Sequence, residues 1–120
     1  MINPTITDDT LLLEVEGIDK LWSLKGHLKI PLIHITGVRI DKDIAHEQLN
    51  GIKMGGARIP NVIKAGTFWE NGKTVYWDVH KPEEAVVIEL SDEKYTELVI
   101  EVADPEKFVD DLKAKLDSTQ

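Results

Sequence analysis

Apolar residues recur along most of the chain in short alternating or continuous runs, and only near the C-terminus do they fall at spacings of three and four. The first pattern predicts strands and the second an amphipathic helix. The clearest strand signal is KAGTFWENGKTVYWDV (64–79), where two β-branched and aromatic runs flank Asn71-Gly72. That dipeptide supplies the two positive-φ positions of a type I′ hairpin turn. The hairpin is expected to pair 62–69 with 74–80, setting Trp69 opposite Thr74. Tyr76 and Trp77 then point to opposite faces, and one of them is expected to be partly exposed.

From the start, residues 1–10 read as a polar lead-in, and TLLLEV (10–15) is the first strand, ended by Gly17. Asp19 could cap one helical turn over 20–24, and a bulged strand explains the same residues. A strand over 27–30 meets Pro31, which cannot donate to a ladder. Ile33, Ile35, Val38 and Ile40 describe a further strand whose face switches at Gly37, where a missing side chain permits a bulge. IAHEQLN (44–50) suits two helical turns, and Gly51, Gly55 and Gly56 make the following stretch pliable. Beyond the hairpin, AVVIEL (85–90) and YTELVIEV (95–102) form a second one around 91–94.

Asp104-Pro105-Glu106 gives an N-cap, a proline at the first helical position and an acid in the first turn. Phe108, Val109, Leu112 and Leu116 then share one face, predicting a helix over 105–116. About seven strands joined by short connections and closed by one helix make consecutive antiparallel pairing the simplest topology. Curling such a meander limits its exposed edges and leaves an end that the helix can plug. The expected fold is therefore mainly β: a PH-like seven-stranded antiparallel barrel or sandwich with a C-terminal α-helix, in a single domain over 1–120.

The segments GIDKLWSLKGHLKIPLIHITGV (17–38), GGARIPNVIKAGTFWENGK (55–73) and AVVIELSDEKYTELVIEVADPEKFVDDL (85–112) resemble the bacterial PH-like domain proteins, some of them related to a bacteriocin-immunity protein. The resemblance implies the same fold and a loop or groove offered to a ligand or protein. It implies no catalytic motif. An immunity-type protein without a membrane anchor is a further alternative.

Composition narrows the picture. With no cysteine there are no disulfides and no thiolate chemistry, and the polar, acidic N-terminus does not resemble a signal peptide. No window approaches the roughly 18 apolar residues of a membrane span. A cytoplasmic protein is expected. The formal charge of −8 repels nucleic acid and anionic lipid, so an anionic partner needs a local basic patch. One such patch exists: from Gln48 to Trp69 there are Lys53, Arg58 and Lys64 and no acid. With the glycines Gly55 and Gly56, which let a backbone approach closely, these five residues are the candidate binding site for a small anion or protein partner. Solvated surface is the competing account of the same charges.

Conventional catalytic patterns are missing. His27, His34, His46 and His80 form no metal-ligand spacing, and His46-Glu47 is followed by Asn50 where a zincin requires histidine. Ser23 and Ser91 lack a nucleophile elbow. GIKMGGAR (51–58) lacks the lysine placement of a P-loop. Adjacent acids such as Asp8-Asp9 and Asp110-Asp111 diverge in direction. No cofactor or metal is implied. The sequence thus supports a non-catalytic binding or scaffolding module, and self-association into a small homo-oligomer through open strand edges is expected. Its rival is a small enzyme assembled from dispersed residues, with Arg58, His80 and a carboxylate as its first parts.

Overall fold

The computed structural model describes residues 2–15, 27–41, 64–70, 72–79 and 84–119. The first sheet contains β1 (Ile2–Ile6), β2 (Thr10–Val15) and β3 (His27–Pro31), antiparallel in that order. Residues 2–6 are therefore a strand and not a polar lead-in: Ile2 is fully buried and stands opposite Val15, and Ile6 stands opposite Leu11. Pro4 is tolerated because β1 is an edge, where a missing N–H leaves no ladder bond unmade. Thr7 closes the first turn, its N–H donating to Thr10 O at 2.9 Å.

After Pro31 the chain makes a 3₁₀ turn, Leu32–His34, where a strand was expected, and then enters β4 (Ile35–Ile40). The turn buries Leu32 and leaves Ile33 81% exposed. Its ends are held from both sides, by Leu32 N–H donating to Asp9 O at 2.9 Å and Ser91 N–H donating to His34 O at 2.8 Å. In β4 the expected bulge is present, since Ile35 pairs with Leu90 and Gly37 already with Glu89. A Cβ at position 37 would meet Glu89 Oε2 at 3.4 Å, an ordinary contact, and the Glu89 carboxylate lies across the strand 2.5 Å from Arg39.

The second sheet adds β5 (Lys64–Glu70), β6 (Lys73–Val79), β7 (Ala85–Leu90) and β8 (Glu97–Glu101), in the order β4-β7-β8-β6-β5. The β5–β6 hairpin has the expected register, Trp69 opposite Thr74, and Gly72 has a φ of +78°. The order of pairing departs from the consecutive antiparallel meander. β8 sits between β7 and β6 and runs parallel to β6, from Val75 opposite Glu97 to Asp78 opposite Ile100. Among the described residues the strands, eight in number, form two open sheets and not a closed seven-stranded barrel.

Burial explains the exchange. Val86-Val87-Ile88 and Leu98-Val99-Ile100 are continuous apolar triplets, buried throughout. A strand that is apolar at successive positions must be covered on both faces, which favours the interior of a sheet over its margin. Placing β8 in the middle satisfies this.

The same covering corrects the expectation for the aromatic pair. Tyr76 and Trp77 do point to opposite faces, but both are buried; among the described residues the exposed aromatic is Trp69, at 77%. Tyr76 joins a large core that includes Leu11, Leu13, Ile88, Leu98 and Ile100, while Trp77 gathers Val75, Val79, Ala85, Val87, Val99 and Phe68. The helix α1 (Pro105–Thr119) lies against β4, β7 and the 3₁₀ turn. Phe108, Val109 and Leu112 are buried and Leu116 packs beside them in the large core. Each such side chain contributes about 1.5–3 kcal/mol of transfer free energy. Asp104 caps the helix as expected, its Oδ1 accepting from Lys107 N–H at 3.2 Å. The helical turns expected at 20–24 and 44–50 lie outside the described residues.

Candidate functional site

β1 and α1 frame a cleft of about 600 Å³. Its walls come from opposite ends of the chain: Asn3, Pro4 and Ile6 on the strand, Val102–Asp104 at the entry to the helix, and Lys107, Phe108, Asp111, Ala114, Lys115 and Ser118 on α1. The helical spacing that buries Phe108 and Leu112 turns 107, 111, 114, 115 and 118 toward this side. Pro4, Ile6, Val102, Ala103, Phe108 and Ala114 supply apolar surface.

The cations at the cleft are paired. Lys107 Nζ lies 2.6 Å from Asp111 Oδ2, one turn along the helix, and Lys115 Nζ lies 3.2 Å from Asp8 Oδ1 in the turn after β1. The hydrogen bond and charge of Asp111 hold the Lys107 ammonium above the ordinary lysine value, with a smaller contribution from Asp104. Asp104 is a further acid in the lining, so two cations and three carboxylates edge the apolar hollow and leave one negative charge over. A volume in this range suits a small ligand or a few side chains of a partner.

Of the residues singled out in the sequence, Lys53, Gly55, Gly56 and Arg58 lie outside the described residues, as do His46 and His80. Lys64 opens β5 opposite Val79. Of the five candidate residues the described structure includes Lys64 alone. His27 is exposed on β3, and His34 sits in the 3₁₀ turn with its Nδ1 bonded to Glu93 Oε2 across the β7–β8 turn. His34 thereby fastens two turns. Among the described residues no group of three histidine or acidic side chains is placed to hold a metal. No helix of the described residues is long and apolar enough to cross a membrane.

A family model described as a bacterial PH domain matches residues 10–116. The chain belongs to the bacterial PH domain family. No curated protein and no solved structure matches it. In this bacterial PH domain the strand β1 precedes the matched span, so one wall of the cleft comes from residues outside it. The cleft escaped sequence reasoning because its walls are about a hundred residues apart and β1 itself was not anticipated. Two buried acids, Asp78 and Glu101, were also missed. Both occupy strand positions, opposite Ile100 and Ala85, where solvated charge is the ordinary expectation.

Proposed function

We propose that this bacterial PH domain is a non-catalytic binding or scaffolding module, and that the cleft between β1 and α1 receives an apolar group of its partner. The observation that carries the reading is the cleft's make-up: apolar walls from Pro4, Ile6, Phe108 and Ala114 beside the Lys107–Asp111 and Lys115–Asp8 pairs. Ion pairs already made inside the protein add little attraction at an exposed site. Affinity then comes from covering the apolar walls, and the charges select orientation.

The test is a titration with small aromatic and aliphatic probes followed by amide chemical shifts. Saturable shifts at Ile6, Ala103, Phe108 and Ala114, lost in Ala114→Trp, are the expected result. Ala114 is exposed, so filling the hollow from that side leaves the core intact. Probes that ignore these residues, or bind the variant equally, would refute the assignment.

The basic segment supports a second reading on charge alone. Lys53, Arg58 and Lys64, with amides at Gly55 and Gly56, would receive a small anion or an acidic surface of a protein partner. Phosphate titrated at low and physiological salt should shift 51–64 and lose its effect in Lys53→Ala/Arg58→Ala/Lys64→Ala. Shifts that are identical in the triple variant would return the segment to solvated surface.

A further inference from the structure

Every open sheet meets the hazard of its edges, and among the described residues three of the four edges carry a device that blocks further pairing. β1 has Pro4 at its centre, and β3 is a short strand ending at Pro31. β4 has the register shift between Ile35 and Gly37, with α1 lying against it. Among the described residues β5 has none of these. It contains no proline, and its seven residues pair with β6 in unbroken register. It also carries Trp69, 77% exposed, one of the two large apolar side chains that stand out among the described residues.

We propose that β5 is a self-association edge, joining antiparallel to β5 of a second copy about a two-fold axis at Thr67. The two-residue turn sets the phase of the hairpin. The Glu70–Lys73 pair that flanks it exchanges hydrogen bonds, so the amides of residues 70, 68 and 66 face β6 and those of Ala65, Thr67 and Trp69 face outward. Centring the pairing on Thr67 uses all three outward amides and the full strand.

The sequence KAGTFWE is complementary to itself in that register. Lys64 stands opposite Glu70 of the second copy at both ends of the ladder, Ala65 opposite Trp69, and Gly66 opposite Phe68. Large residues meet small ones and opposite charges meet, which is the arrangement that favours cross-strand pairing. Shifting the pair by two residues in one direction sets Phe68 opposite Phe68, and in the other sets Lys64 opposite Phe68; both shorten the ladder. The twofold arrangement closes on itself and produces a dimer with one continuous ten-stranded sheet, not a fibre. A single ladder buries less than a standard protein interface, so the dimer is expected to be concentration-dependent.

Sedimentation equilibrium from low micromolar to millimolar concentration tests this, with amide shifts read in parallel. Wild type should pass from monomer to dimer, and the concentration-dependent shifts should centre on 65–69. Thr67→Pro removes an outward N–H and no bond to β6, so it should fold and remain monomeric. Lys64→Glu and Glu70→Lys each set like charges opposite one another in a homodimer and should self-associate at least tenfold more weakly. An equimolar mixture of the two restores both charge pairs and should dimerise again. Monomeric wild type at millimolar concentration would overturn the proposal and leave β5 to a strand of another protein. A dimer that persists in folded Thr67→Pro, or a mixture no tighter than its components, would overturn it as well.

Discussion

On one face of the five-stranded sheet, Tyr76, Ile88, Leu98 and Ile100 enter a core shared with the three-stranded sheet and the C-terminal helix. On the other, Val75, Val79, Val87 and Val99 surround the indole of Trp77 with Ala85 and Phe68. Among the described residues the first core spreads its burial over many elements, whereas the second draws on the sheet's own strands around one large side chain. The contrast shows how alternation misleads when both faces of a sheet are covered. Tyr76 and Trp77 obey the period of two, yet neither is exposed.

Truncating a large aromatic in each core should have the largest effect. Trp77→Ala and Phe108→Ala are each expected to cost about 3–5 kcal/mol, the range for removing a buried aromatic. Denaturant midpoints measure both, and a loss below about 1 kcal/mol for either would mean that its cluster is loosely packed. The independence of the faces calls for milder changes. Ile88→Val should cost about 0.5–1.5 kcal/mol, and its combination with Val75→Ala, two strands away on the opposite face, should add to within about 0.5 kcal/mol. A larger discrepancy would show that the sheet transmits strain between its cores.

Smaller effects concern the helix that covers only the first face. Asp104→Ala removes the cap and should cost about 0.5–2 kcal/mol, with loss of amide protection confined first to 105–108. The smallest is the pair beside the cleft. Lys107 titrates above the ordinary lysine value because of Asp111, so whatever the pair contributes is complete below the unfolded value and disappears as pH rises through the folded one. At neutral pH it should be insensitive to acidity. Asp111→Asn should lower the Lys107 value toward the ordinary one, as read by side-chain NMR titration; an unchanged value would mean that the two groups do not interact in solution.

Local signals were legible where they concerned neighbours in sequence. Asn71-Gly72 fixed the hairpin register, Gly37 marked the bulge, and Asp104-Pro105 with the stripe through Phe108 and Leu112 marked the helix. What could not be read depends on distant partners. Ile2 becomes a core residue only through β2, and Pro4 argues against a strand unless that strand is known to be an edge. The central place of β8 was hinted at by the triplet Leu98-Val99-Ile100, but consecutive pairing is the more common rule and it prevailed. The cleft needs β1 and α1 together, and no local pattern joins residue 4 to residue 114.

The parallel seam between β6 and β8 has a consequence for how the domain assembles. Two hairpins, β5–β6 and β7–β8, close across short turns, and such units form in about 1–10 μs. The sheet cannot then grow by zipping each strand onto the last, because β8 has to meet β6 while β7 is held one place further out. Joining them is a docking of two preformed ribbons along Val75–Glu97 to Asp78–Ile100, a late and non-local step. Substitutions in the seam should then accelerate unfolding more than they slow folding, whereas those at the Asn71-Gly72 turn should do the reverse, a difference that the two arms of a chevron plot record separately.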